Sequence, residues 1–522
     1  MKNVLRVILA TATGLALWAA PALASPTCFG REATIVGDHT GGDIEGTPGN
    51  DVIVVKGDEK VTVRALGGAD RVCGSSKNDT IYGGDGDDRL YGFSNRPSDG
   101  GGKDTVHGGD GNDRLFGLAD KDYLNGDEGA DTLIGGWGPD FLRGGRGPDV
   151  LRGAGGHDDL WGDEGDDIAK ANKAGASFHT GSGEDLYKAG PSDRSELLYS
   201  GPYTDPTSSP IDADLTVGTV SGAEVGVDTL EGRFGRLEAT QMDDTITGSP
   251  LDDSIDLGDG DDVVSTGNGN DFVDASASND DDDQINLGDG DDRVRTGGPN
   301  SSVDDIDGGD GIDELEVSRV DGFTINLATQ EIEGDAVASF TGMEDAQGRS
   351  EGPVTLIGDD GPNRLSGMGR FEGDDASLSV SGAGGDDTIF LHYPGGNNEL
   401  RKVVAFGGGG DDHIVGNALL TIQSEQRIEG GPGNDEILGS PGFDDDILGG
   451  EDDDTIYGRS GEDHLEGNEG DDWIYGETSE DHLDGGGGSD YLDGGVTGGG
   501  WPENDLCLNG EVLSGCERTT GS

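Results

Sequence analysis

Aspartate recurs beside glycine at a fixed interval along much of this chain. In the stretch Gly108-Gly109-Asp110-Gly111-Asn112-Asp113-Arg114-Leu115-Phe116 the carboxylate of Asp113 stands sixth in a nine-residue unit, G-G-x-G-x-D-x-U-x, with U aliphatic. The unit repeats seven times without a break from Gly108 to Lys170; GGWGPDFLR (Gly135 to Arg143) and GGRGPDVLR (Gly144 to Arg152) are two examples. Glycine admits the positive φ angles of a tight turn, and such a turn exposes carbonyl oxygens. Each unit therefore offers one carboxylate next to several carbonyls. That is an all-oxygen donor set, the chemistry preferred by hard cations.

Position 8 carries Leu115, Leu133, Leu142 and Leu151, and later Ile456, Leu465, Ile474, Leu483 and Leu492. Positions 7 to 9 are expected to form a three-residue strand with only the middle side chain pointing inward. One such strand has no stability of its own, but stacking many buries a continuous narrow aliphatic core. Two units make one coil of eighteen residues, and successive coils stack at about 4.8 Å. Self-similarity at a fixed period thus sets the architecture. The fold class expected is all-β, a parallel β-roll or β-helix solenoid.

Composition agrees that no conventional core exists. Of 522 residues, 101 are Gly and 108 are Asp or Glu, against 33 Lys or Arg, and only 31% are hydrophobic. The formal net charge of −75 would ordinarily mark a disordered chain. The regular repeat argues for order once a multivalent cation cancels the repulsion. Nucleic acid is excluded as a partner, because phosphate is repelled by such a surface.

The repeats fall into blocks. Residues 1–24 read as a secretory signal peptide, with Lys2 and Arg6 before the apolar run Val7 to Ala20 and a small-residue cleavage site at Ala22-Leu23-Ala24. Its removal would leave a secreted chain of net charge −77 without a membrane span. A first repeat block occupies residues 25–170, a second 239–316 and a third 358–493. Spacers of different texture, 171–238 and 317–357, contain the related phrases Asp212 to Gly218 and Thr324 to Thr329 and read as two copies of one element. Residues 494–522 form a C-terminal cap. The four cysteines, Cys28, Cys73, Cys507 and Cys516, suggest disulfides in a secreted chain, with three connectivities open.

Left alone, stacked position-6 carboxylates would repel one another. The candidate ligands in the first block are Asp51, Asp70, Asp79, Asp88, Asp104, Asp113, Asp122, Asp131, Asp140, Asp149, Asp158 and Asp167. In the second they are Asp244, Asp253, Asp262, Asp271, Asp292 and Asp313; in the third, Asp387, Asp412, Asp435, Asp454, Asp463, Asp472, Asp481 and Asp490. Ca²⁺ takes six to eight oxygen ligands in flexible geometry, whereas Mg²⁺ demands a strict octahedron and keeps its waters. Zinc lacks its usual Cys and His ligands. Many calcium ions, each between neighbouring turns on one edge, satisfy both the charge and the donor set.

In these units the chain resembles the RTX family, the hemolysin-type calcium-binding nonapeptide repeat. The resemblance implies a parallel β-roll, calcium held in the turns by the position-6 aspartates that match, and a chain largely unfolded without calcium. The pattern decays at Asn363 in GDDGPNRLS and in the unit of Asp122, which begins Gly-Leu-Ala-Asp.

Catalytic motifs are not evident: the sequence has no H-E-x-x-H and no G-x-S-x-G. A structural, adhesive or surface-interaction role is the reading favoured. The alternative is a secreted polysaccharide lyase or epimerase with His179, Tyr187 or Arg194 of the first spacer in its site. His413, His464 and His482 occupy outward position 7, where solvated surface residues are expected. Trp473 and Tyr491 share position 7, and Tyr457 and Tyr475 share position 9, so all four fall on one face suited to a glycan or cell-surface partner. Tyr123, Phe141 and Trp161 are expected to make a similar patch in the first block.

Overall fold

In the computed structural model the chain is all-β, with no helix among the described residues. These are 26–37, 42–57, 59–92, 102–191, 195–199, 209–276, 281–297, 304–319, 322–334, 338–350, 352–369, 377–392, 402–416, 425–495, 505–510, 512–516 and 518–519. The expected signal peptide, and Arg194, lie outside them. Two compact units divide the chain, Met1–Thr245 and Ile246–Ser522.

Both units are parallel β-solenoids. In the first, Thr105–Asp110 pairs in parallel with Tyr123–Glu128, which pairs with Phe141–Arg146, then Asp158–Glu164, then Ala176–His179. A second ladder runs through Arg114–Ala119, Thr132–Trp137, Val150–Gly155 and Ile168–Lys170. Each strand thus meets the strand two on, and Leu124 stands beside Leu142 in the register expected for an eighteen-residue coil. In the second unit Asp445–Glu451, His464–Glu469 and His482–Gly487 form one ladder, and Thr455–Tyr457, Trp473–Tyr475 and Tyr491–Asp493 the other.

Many strands are longer than the three residues expected. Phe141–Arg146 is six residues long and runs on through Gly144 and Gly145. The turn glycines lie close enough to the next coil for their backbone to join the ladder, Asp127 standing against Gly145. Along this strand Leu142 and Gly144 point inward while Arg143 faces water. The core is accordingly a single file of aliphatic side chains. Leu115, Leu124, Leu133, Leu142, Leu151 and Leu160 are all fully buried, as are Ile447, Ile456, Leu465, Ile474, Leu483 and Leu492 in the second unit.

The spacers keep to the stack and add excursions. In the first, Ile211–Asp214 turns back antiparallel to Thr219–Gly222, which lies antiparallel to Gly226–Glu231. In the second, Phe323–Asn326, Glu331–Glu333 and Ala338–Thr341 repeat that antiparallel order. Cys28 is bonded to Cys73 and Cys507 to Cys516, one of the three pairings open to the sequence. The first bridge is buried against Val54 and Tyr91 at the start of the first unit.

Because the core is one side chain wide, a truncation there cannot be filled from neighbouring layers. Leu142→Ala is expected to cost about 2–5 kcal/mol, read from urea unfolding of the calcium-loaded chain. Arg152→Ala, outward on the neighbouring ladder, should change stability by about 0.5 kcal/mol or less.

Candidate metal centre

The position-6 aspartates form buried columns at the turns. The backbone N–H of Asp113 donates to Asp131 Oδ1 at 2.6 Å, that of Asp131 to Asp149 at 2.7 Å and that of Asp149 to Asp167 at 2.7 Å. On the other edge Asp104, Asp122, Asp140 and Asp158 are linked in the same way, at 2.8–3.0 Å. In the second unit Asp387, Asp412, Asp435, Asp454, Asp472 and Asp490 form one such chain. Shorter chains run from Asp253 through Asp271 and Asp292 to Asp313, and from Asp463 to Asp481. Asp51, Asp70 and Asp88 lead into the first column. Asp79 joins Asp104, Asp244 accepts from Ile211, and Asp262 donates to Asp283. All twenty-six expected residues are buried; Asp244 is held by the Ile211 amide, and the others are linked aspartate to aspartate.

One oxygen of each carboxylate is thus fixed by the neighbouring turn. The other is different. Oδ2 of Asp88, Asp104, Asp113, Asp122, Asp131, Asp140, Asp149, Asp167, Asp271, Asp292, Asp313, Asp387, Asp412, Asp435, Asp454, Asp463 and Asp472 is buried without a hydrogen-bond partner. An oxygen buried unpaired costs about 1–3 kcal/mol, and more when charged. Where position 1 is glycine these oxygens face it; the units of Asp271 and Asp292 carry Thr266 and Leu287 there instead. A methyl group on Gly126 would collide with both Asp131 Oδ2 and the Gly144 carbonyl oxygen of the next coil. Carboxylate and carbonyl oxygens therefore converge from adjacent turns. No group of three acidic, His or Cys side chains gathers at one point among the described residues. A cation here would take carboxylates singly or in pairs and complete its shell with backbone carbonyls, which suits calcium.

Burial also shifts the carboxyls. Loss of solvent, reinforced by neighbouring carboxylates, raises Asp104 to about 9, Asp122, Asp131 and Asp167 to about 8, and Asp88 to about 7. Asp454 and Asp463 are raised in the same way to about 8.

The columns contain residues that the glycine pattern does not reveal. Asp185 and Asp228 extend the first, Asp283 and Asp304 follow Asp262, and Asp445 and Asp505 flank Asp463 and Asp481. Their turns lack the G-G-x-G preamble, yet each keeps Asp two residues before an inward side chain, as in Asp283-Gln284-Ile285 and Asp445-Asp446-Ile447. Asn363 occupies a column position too, donating its N–H to Asp387 Oδ1.

The pattern of the RTX calcium-binding nonapeptide repeat (4 copies) matches residues 65–92, 98–133, 134–169, 238–273, 404–418, 426–445, 442–474 and 466–496. The chain carries RTX calcium-binding nonapeptide repeats. The RTX matches cover the regular parts of both units, where the aspartate columns are longest. A comparison with curated proteins finds no match.

Other candidate residues are placed as follows. Tyr457 stacks on Tyr475 at 5.0 Å between ring centroids, and Trp473 lies 5.2 Å from Tyr491 on the same face, with Trp473 about half exposed. The first-block patch is only partly as expected. Tyr123 stacks on Phe141 at 4.9 Å, but Trp161 is buried under the His179 ring at 3.6 Å. His179 pairs in the strand beside Trp161 and covers it. Burial lowers the His179 pKa to about 4. Tyr187 is fully buried and donates its hydroxyl to Asp185 Oδ2 at 2.8 Å. His464 stacks on His482 at 4.7 Å and meets Asp446 at 3.0 Å, while His413 meets Glu436 at 3.0 Å.

Two outcomes follow for the RTX turns. Folding raises these carboxyl pKa values above the unfolded value of about 4, so the folded metal-free chain binds extra protons. Their contribution to stability is complete below about pH 4 and is lost as pH rises through about 7 to 9. In chelator, acidification from pH 9 to pH 5 should increase the far-UV β signal. Gly126→Ala should weaken calcium-dependent folding, seen as a higher calcium midpoint than in the wild type.

Proposed function

We propose that this is a secreted protein whose β-roll folds on binding external Ca²⁺ and serves a structural, adhesive or surface-interaction role. The observation that carries the reading is the row of buried Oδ2 atoms without hydrogen-bond partners along the turns. Calcium supplies positive charge and accepts the remaining oxygens when bound. The chain itself supplies the fixed Oδ1, the directed Oδ2 and the carbonyls. The metal ligands are the position-6 aspartates, in three repeat blocks separated by two spacers, with residues 1–24 removed on export. Where a site exists only in the folded chain, metal affinity becomes folding free energy. Low calcium inside the cell would keep the chain extended for export, and calcium outside would fold it. The exposed Trp473 beside Tyr491, with Tyr457 and Tyr475, supplies a flat apolar face of the kind that stacks on sugar rings.

Circular dichroism of the metal-free chain during a calcium titration tests the first part. A cooperative gain of β signal that magnesium at equal concentration does not reproduce is expected; a spectrum already folded in EDTA at neutral pH contradicts it. Trp473→Ala should leave calcium-driven folding unchanged and lower retention on a polysaccharide array by about tenfold or more, the scale of one lost aromatic anchor. Unchanged retention would remove the glycan face from the reading.

A further inference from the structure

Resting on the calcium reading, we infer that the residue at position 2 sorts the turns into two kinds, and that only one kind takes the ion. In the first kind position 2 is left-handed. Gly109 has φ 110°, Asp127 φ 74° and Gly450 φ 143°. The corresponding Asp113, Asp131 and Asp454 are those whose buried Oδ2 has no hydrogen-bond partner. Residue type does not decide this, since Asp127 behaves like the glycines; the backbone conformation does.

In the second kind position 2 is Ser or Thr and is not left-handed. Its N–H then points into the turn and closes on the same oxygen. Ser75 donates to Asp79 Oδ2 at 2.6 Å, Thr240 to Asp244 at 2.7 Å and Ser440 to Asp445 at 2.6 Å. Thr47 and Ser249 cap Asp51 and Asp253 at 2.7 Å and 2.5 Å. The physical cause is local. Thr is β-branched and avoids positive φ, and Ser and Thr favour bonds within a turn. A carboxylate capped in this way has no open Oδ2 to offer an ion; at Asp445 it is Oδ1 that stays without a hydrogen-bond partner.

Three further arrangements fit. Asn363 stands in a capped turn, its Oδ1 accepting from Asp359 N–H at 2.8 Å, so a neutral side chain suffices there. Tyr187 and Tyr199 place their hydroxyls on Asp185 and Asp228 Oδ2, each at 2.8 Å, doing with a phenol what an ion would do elsewhere. Thr296 likewise donates its hydroxyl to Asp304. Carboxylates in one continuous column are thus satisfied by different means.

Counting calcium per chain by elemental analysis, after equilibration and removal of free metal, tests the sorting. Asp131→Asn and Asp454→Asn open-turn variants should each lose about one ion. Asp445→Asn and Asp304→Asn, in capped turns, should keep the wild-type count; either one alone suffices if the other does not give the wild-type circular dichroism spectrum in saturating calcium. Loss of an ion from the capped-turn variants as well would overturn the sorting while leaving the calcium reading intact. An unchanged count in all four would overturn the calcium reading itself.

Discussion

The structure depends on how one carboxylate divides its two oxygens. In the regular coils Oδ1 of a column aspartate receives the amide of the equivalent residue one coil away, as Asp131 receives Asp113. This locks the side chain inward and sets the height of the next turn. With Oδ1 committed, Oδ2 has a fixed direction too, toward the position-1 glycine and the carbonyl of the following coil. The same bond that orders the turn therefore creates the need for a partner. Where position 1 is glycine, as at Gly126, a Cβ would occupy the place where the oxygens meet; Leu257, Thr266 and Leu287 stand at that position in the second block.

The remaining features answer that demand in different ways. The leucine file provides burial but is too thin to overcome rows of buried charge by itself. A proton, a backbone amide, a phenol or a cation can each neutralise or satisfy Oδ2. Which one does so varies along the chain: Asp445 has an amide and Asp228 a phenol, whereas Asp454 has neither. Tyr123 and Phe141, Tyr457 and Tyr475, and His464 and His482 sit on outward positions and stack between coils, whereas Tyr187 and Tyr199 are buried.

Much of this was legible in the sequence because the period is short and the reasons for it are local. The G-G-x-G-x-D-x-U-x pattern gave coil length, register, the buried leucines and the inward aspartates. It was less informative where a residue's role depends on its neighbour one coil away. Asp283 and Asp445 lacked the glycine preamble, although the spacing of Asp to the inward residue marked them. Trp161 looked like a surface aromatic until His179, eighteen residues on, was seen to lie over it. Strand length was underestimated because glycine reads as a break, while between close parallel coils it can extend a ladder. The effect of serine and threonine at position 2 is a backbone angle and not a side-chain chemistry, so the nonapeptide pattern does not mark it.

The column spacing has one more consequence. Neighbouring aspartates are 18 residues apart in the regular stretches, but 21 between Asp271 and Asp292, 25 between Asp88 and Asp113, and 43 between Asp185 and Asp228. The coil behaves as a reading frame that restarts at every aspartate. Between Asp185 and Asp228 the strands Ile211–Asp214 and Thr219–Gly222 are added as an antiparallel pair, and Leu186 still pairs with Thr229, so the added length does not accumulate as an error downstream. A solenoid punctuated in this way can gain or lose surface segments by insertion and deletion without re-registering what lies beyond, and so can diversify its exterior while its interior stays constant.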